Sequence, residues 1–377
     1  MPAVRLSDVA QDAGVSLATA SRVLNGSTRV PGKAVAEKVE ASALKLGYVP
    51  NAQAQALARS RSGLIGLVVH DIVDPYFATI AREVQQQVFA SQSQVLFTQT
   101  DREIDTEIRA LRSLIAQQVD ALVLVGSHRY GNDSDAALTA LLEGFARNGG
   151  RVVGMGQSLG VGRTIVPDNA AAAHELATAL IVGGHRRFAV VQGIAGIPSA
   201  GDRTGGFIAA LTEAGIEPEL SIEVGLTRDG GHVLAQQIQE HLAAAPDDPV
   251  GESLPLCVFA PADVMALGAL GELRRLGIDV PGQVAVAGFG GVPDADDANP
   301  TLTTIALPLH EMARQAVDWV LEQPDEGSAI GPEGSEGGAA HEAADTSPEG
   351  SAEETPSEVH VRGDVLLRES TALAASD

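Results

Sequence analysis

Apolar positions repeat with two different periods along this chain, and the change from one to the other divides it. Leu6, Val9, Ala10 and Ala13 fall at i, i+3, i+4 and i+7, the single stripe of a short amphipathic helix. Gly14 predicts its end, because glycine takes a left-handed C-cap conformation without a Cβ clash. Ser16 then predicts the N-cap of a second helix running to about Asn25, with Ala20, Val23 and Leu24 inward and Leu17, Ala18, Ser21 and Arg22 outward. Val35, Val39, Ala43 and Leu46 predict a third helix of the same stripe type, closed by Gly47.

From Gly63 the period shortens. LIGLVV (64–69), QVLFTQ (94–99), ALVLVG (121–126) and RVVGM (151–155) are apolar runs of strand length, separated by helical patterns near 77–91, 104–118 and 136–148. A second set follows: RFAVVQG (187–193), SIEVGL (221–226), LCVFA (256–260) and VAVAGF (284–289), with helices near 169–182, 203–214, 230–244 and 263–276. Near-continuous apolar strands alternating with helices predict parallel βαβ units buried on both faces, here in two doubly wound halves. LTTIALP (302–308) and a helix from His310 to about Glu322 are expected to close the first half. Residues 324–358 hold ten acidic residues, no Lys or Arg, and almost no large apolar side chains, which predicts a disordered acidic insertion. VRGDVLLREST (361–371) resumes as one last strand.

A helix, a short glycine turn and a second helix with small, polar and basic residues outward make a helix-turn-helix pattern, suited to the DNA major groove, although an ordinary α-hairpin shares the first twenty residues. The net charge of −24 argues against nucleic acid, but its distribution reverses that argument. Residues 1–62 carry eight Lys/Arg against four Asp/Glu, a net +4. Because phosphate attraction is screened beyond about 10 Å at 0.1 M salt, a basic front end can bind DNA while an acidic body stays off it.

DVAQDAGVS, ATASRVLNG, the LGYVPN step and AQAQALA together closely resemble the headpiece and hinge of the lactose-repressor (LacI/GalR) family of bacterial transcription regulators. The resemblance extends over most of the chain. It implies an α/β protein with an N-terminal helix-turn-helix headpiece and a two-lobed effector domain like type I periplasmic binding proteins, built of doubly wound parallel sheets. The implied divisions are a headpiece at 1–50, a hinge helix and linker at 51–62, and an effector-binding and dimerisation domain at 63–377. Within that domain the first lobe takes about 63–166 and 293–323, and the second about 167–292 and 359–377.

The family's pattern places Leu17, Ala18 and Arg22 at base edges, residue types that suit a thymine methyl and a guanine. Ser16, Ser21 and Asn25 suit phosphate oxygens, which fix register. Leu57 matches the leucine that wedges into the minor groove when two hinge helices pair, and 52–58 is too short to be stable as an isolated helix. There are departures. Arg5 stands where relatives carry a helix-capping Thr, leaving Ser7 as a candidate cap, and VPGKAVAEKV is about one residue longer than usual.

Ligands of open α/β sheets bind beyond the carboxyl ends of the strands, where the two halves face each other. HDIVDPYF offers Asp71, Asp74, Tyr76 and Phe77 after the first strand. By resemblance Arg203 matches the arginine that grips effectors, and Asp263 lies at a further strand end, where its family counterpart is as often structural as ligand-binding. A sugar or related metabolite is the candidate effector. Two departures weaken that inference: the Asn usual before Asp263 is Ala262, and the Asp of a GFD motif is replaced by Gly290.

No catalytic motif, cofactor site or metal spacing stands out: GxxxxGK[ST] and paired cysteines are absent, and His-Glu at His174, His310 and His341 lacks the second His of a zinc helix. The single cysteine, Cys257, reads as a core residue. No signal peptide or membrane-length apolar run occurs, so a cytoplasmic location is expected. The expectation is a non-enzymatic, dimeric, DNA-binding regulator whose partners are a palindromic operator and a small-molecule effector. A small-molecule sensor or solute-binding protein without DNA work is the alternative, and a doubly wound enzyme a third.

Overall fold

The computed structural model describes residues 4–25, 31–49, 61–127, 133–192, 197–244, 254–322 and 357–373. The chain forms two compact units, Met1–Leu64 and Ile65–Asp377.

The first unit holds α1 (Leu6–Ala13), α2 (Leu17–Leu24) and α3 (Lys33–Leu46). Its core is small: Val9, Ala10, Ala13, Ala20, Val39 and Ala43 are buried, with Val23, Leu24, Leu46 and Tyr48 packed against them. Gly14 and Gly47 end α1 and α3 at φ 65° and 68°, the left-handed region where a Cβ is penalised. Ser42 of α3 fastens α1: its buried Oγ donates to Asp12 Oδ2 at 2.8 Å and lies 3.3 Å from the Val9 carbonyl oxygen. Lys45 Nζ donates to the other Asp12 oxygen at 2.7 Å. Ser7 is not the cap of α1. Arg5 occupies the N-cap, and Asp8 reaches back so that its Oδ2 accepts from the Arg5 backbone N–H at 2.8 Å. A guanidinium cannot accept from the first-turn N–H groups as a Thr would, so only the reciprocal half of a capping box is made, with Asp8 satisfying the N-cap residue's own N–H.

The second unit continues with β1 (Leu64–Val69), α4 (Pro75–Ala90), β2 (Gln94–Gln99), α5 (Ile104–Ala116), β3 (Ala121–Gly126), α6 (Asp133–Arg147), β4 (Arg151–Gly156) and β5 (Arg163–Pro167). Then come α7 (Asn169–Val182), β6 (Arg187–Gln192), α8 (Pro198–Glu213), β7 (Leu220–Glu223), α9 (Arg228–Ala244), β8 (Leu256–Phe259), α10 (Asp263–Arg275) and β9 (Val284–Ala287). The short α11 (Asp294–Asp297), β10 (Thr304–Ala306), α12 (Leu309–Leu321), β11 (Glu358–Val361) and β12 (Asp364–Leu366) complete it.

Three sheets result among the described residues, six strands in the order β11-β5-β4-β3-β1-β2, four in the order β7-β6-β8-β9, and the pair β10-β12. The pairs β1/β3, β3/β4, β4/β5 and β5/β11 are parallel, as is every pair of the four-stranded sheet. β3 and β8 are buried along almost their whole length, as central parallel strands must be. β2 departs from the expectation of full burial: it is an edge strand, with Phe97 44% exposed. Phe207 and Phe259 stack in the core with ring centroids 4.3 Å apart. Cys257 is fully buried beside them in β8, and burial pushes its thiol far above the ordinary range. Among the described residues no helix is long and apolar enough to cross a membrane.

The segment after the insertion corrects the expected strand. It forms two short strands flanking Arg362 and Gly363 instead of one, and the first belongs to the other lobe. β11 begins at Glu358, pairs with β5 in the first sheet, and packs Val359 and Val361 against the core. β12 runs antiparallel to β10. Gly363 permits this break, because a Cβ there would lie 2.5 Å from Ile305 Cγ2. The first-lobe sheet therefore takes 358–361, and the insertion stops short of Glu358. β5 has too few apolar residues to stand out in the sequence.

Candidate functional site

The outward face of α2 is the first candidate. Leu17, Ala18 and Arg22 are exposed, Leu17 at 54%, while Ala20 on the opposite face is fully buried. Ser16 caps the helix, its Oγ accepting from Thr19 N at 3.1 Å. Ser21 Oγ accepts from Asn25 Nδ2 at 2.9 Å, so these two polar groups are held relative to each other before any ligand arrives. Leu57 and the hinge segment lie outside the described residues.

The second candidate is a cleft of about 600 Å³, part of it open to solvent, in the second unit. Its walls come from the carboxyl ends of β1 to β4 on one side and of β6 to β9 on the other, as strand polarity in facing parallel sheets requires. Asp74, Tyr76, Phe77, Arg203 and Asp263 all line it. Asp71 does not. Its Oδ1 turns back to accept from Val73 N at 2.9 Å, an Asx-turn that spends the carboxylate on its own loop.

Asp74 caps α4, its Oδ1 accepting from Tyr76 N at 3.0 Å, with Pro75 as the first helical residue. Burial raises the Asp74 carboxyl to about 6, against the pull of that hydrogen bond and of the Arg102 charge. Tyr76 and Phe77 meet edge to face at 5.2 Å between centroids. Arg203, on α8, donates from Nε to Asn169 Oδ1 at 2.7 Å and from an Nη to the Pro261 carbonyl at 2.8 Å. Its guanidinium lies 4.1 Å from the Phe289 ring centroid, and burial lowers it to about 10.

Asp263 is a clamp. Oδ2 accepts from Gly291 N at 2.6 Å and Val292 N at 3.0 Å, and Oδ1 accepts from Thr304 Oγ1 at 2.6 Å. Burial pushes its carboxyl up while these donors oppose the shift. The clamp explains two glycines: a Cβ on Gly288 would lie 2.2 Å from Asp263 Oδ1, and Gly290 sits at φ 143°. Gly290 in place of the family's Asp is thus accommodated by the backbone that Asp263 holds.

Sequence reasoning missed Arg102, Ser127, Asn169, Ser199 and Phe289, which also line the cleft. The strand-end rule alone would have found Arg102, three residues beyond β2, and Ser127, one beyond β3. Arg102 has a positive φ of 60°, a backbone conformation no pattern announces. Its guanidinium lies 5.6 Å from the Phe77 ring centroid.

Comparison with known proteins matches both ends of the chain to known domains. Residues 5–51 match the bacterial regulatory proteins of the lacI family, and residues 177–334 match a periplasmic binding protein-like domain. The HTH-type transcriptional repressor CytR of Escherichia coli (strain K12) is 30% identical over 323 residues, covering 85% of this chain and 90% of CytR. The HTH-type transcriptional regulator GalS of Salmonella typhimurium is 33% identical over 322 residues, covering 85% of this chain and 89% of GalS. The solved lac repressor dimer bound to operator and the anti-inducer ONPF aligns over 98% of this chain and 100% of its own, with a TM-score of 0.75 at 23% identity, which is a likeness of fold. With a helix-turn-helix DNA-binding domain in front of a periplasmic binding protein-like effector domain, the chain belongs to the lacI family of bacterial transcriptional regulators.

Proposed function

We propose that this protein is a cytoplasmic, non-enzymatic repressor that binds a palindromic operator as a homodimer, and that an effector seated in the cleft alters its operator affinity. The observation that carries this reading is the outward face of α2, where Leu17, Ala18 and Arg22 stand exposed on a helix whose opposite side is buried. Arg22 pairs with a guanine edge, and Leu17 and Ala18 lie against apolar base edges. Ser16, Ser21 and Asn25 hold phosphates, and Leu57 wedges the minor groove between paired hinges. Two such headpieces read two half-sites.

The cleft supports the regulatory half of the reading. Strand-end loops from both lobes line it, so a ligand there bridges the lobes and favours one arrangement over another. An effector changes operator affinity only as far as it binds the two arrangements differently. The test is selection of bound duplexes from random DNA by the purified chain. Recovery of an inverted repeat supports the proposal, and sequences no richer in any motif than the input contradict it.

A further inference from the structure

We propose that the uncharged face made by β2 and α4 is where a second copy of this chain docks, so that the two-fold axis of the homodimer passes beside the β2 edge of the six-stranded sheet. This rests on the homodimer reading above and names the surface it uses.

Charge singles the face out. Residues 84–100, VQQQVFASQSQVLFTQT, hold no Asp, Glu, Lys, Arg or His, and no other run in the chain is free of them for so long. In a chain that is 20% charged with a net −24, such a run is expected to be buried. This one is surface: Gln85, Gln86, Phe89, Gln92, Gln94 and Phe97 are all exposed, Phe89 at 64%.

The edge strand carries the same signature. A free strand edge is a template for pairing, and natural sheets guard it with charge or proline. β11, at one edge of the sheet, carries Glu358 and His360, whereas β2, at the other, reads QVLFTQ and carries neither charge nor proline. Val95 and Phe97 share one face of β2, where Val95 packs on the core and Phe97 is left half in solvent. Gln99 shares that face too, and its Oε1 accepts from Ile72 N at 3.0 Å. That bond holds the exposed side chains of Ile72 and Val73 at the far end of the strand, so apolar groups continue along the whole edge.

Self-association selects such a surface. Under two-fold symmetry one patch meets itself, so a charge near the axis faces its like at close range. An acidic chain pairs most readily with its own copy across a face without acid, and aromatic residues with charge depleted mark the cores of interfaces. A basic partner protein would be drawn to the acidic remainder of the surface instead. β1 lies next to β2 and begins at Leu64, where the first unit ends. Two copies joined at β2 bring both chain junctions toward one axis, as two half-sites on one duplex require.

The experiment is sedimentation equilibrium of the full chain and of three single variants, with far-UV circular dichroism reporting that each folds. The parent is expected to be a dimer at micromolar concentration. Phe97→Glu, on the strand, and Phe89→Glu, at the end of the helix, each place two acids across the axis and should weaken the dimer by about a hundred-fold. Val182→Glu adds the same charge at an equally exposed apolar position away from the face and should leave the dimer intact. A dimeric parent that neither Phe variant weakens overturns this face and leaves the homodimer reading standing. Equal weakening by Val182→Glu also overturns it, because added charge alone would then be the cause. A monomeric parent overturns the face and the homodimer reading together.

Discussion

The guanidinium of Arg203 lies over the ring of Phe289, 4.1 Å from its centroid, so a residue of α8 is stacked on the residue that follows β9 by two positions. The stack fixes the plane in which Arg203 also reaches Asn169 and the Pro261 carbonyl. The two side chains should therefore be energetically coupled. A double-mutant cycle of Arg203→Lys and Phe289→Leu, followed by urea denaturation, is expected to show a coupling of about 1 kcal/mol. Additive effects of the two changes would mean the stack contributes nothing.

Asp263 should behave as a structural residue whose loss is felt in stability first. Asp263→Ala strands two backbone N–H groups and a buried hydroxyl, and is expected to cost about 3 kcal/mol or more in denaturant unfolding. Gly290→Asp restores the family's residue yet should also destabilise, because φ 143° is a conformation L side chains rarely adopt and the new Cβ would lie 3.2 Å from Asp263 Oδ2. A variant as stable as the parent would show that the loop adopts another course.

Stability should depend on pH through Asp74. Its carboxyl is raised from 3.8 to about 6 in the folded protein, so folding favours the protonated form. That contribution is fully present below the unfolded value and is lost as pH rises through the folded one. Asp74→Asn keeps a capping oxygen for Tyr76 N and removes the titration. The variant should therefore gain about 1 kcal/mol relative to the parent between about pH 5 and about pH 7.5. A stability difference that is flat across this window would rule out the raised carboxyl.

The headpiece cap makes a fourth prediction. Ser16→Ala removes the acceptor for Thr19 N and should cost about 1 kcal/mol of thermal or denaturant stability in the first unit. Ser16→Asp, another good cap, should recover most of it while placing a negative charge where a phosphate is expected, so stability returns and DNA affinity does not. Recovery of both would remove Ser16 from the phosphate contacts.

Periodicity was enough to place the three headpiece helices and eight of the strands, because all but the edge strand β2 bury a regular apolar set, as Val9, Ala13, Ala20 and Val39 do in the headpiece. It failed where pairing partners, not side chains, define an element. β5 is held by β4 on one side and by β11 on the other, and β11 arrives from nearly two hundred residues away. The cleft was half legible. Strand ends and the family's pattern pointed to Tyr76, Phe77 and Arg203, whereas Asp71 is spent on its own turn. Asp263 has its oxygens taken by residues distant in sequence, and no local pattern announces that. Arg102 enters through a positive-φ backbone that its neighbours in sequence do not encode.

Salt dependence of DNA binding probes the outward face of α2 as the DNA-reading surface. With the selected duplex, log Kd of the parent plotted against log salt should be steep, at about 0.9 per neutralised phosphate. Arg22→Ala should lose about 1–3 kcal/mol on that duplex and relax its base preference at one position in each half-site. A parent that binds the selected duplex no better than genomic competitor, or an Arg22→Ala variant with unchanged affinity and base preference, would contradict the account.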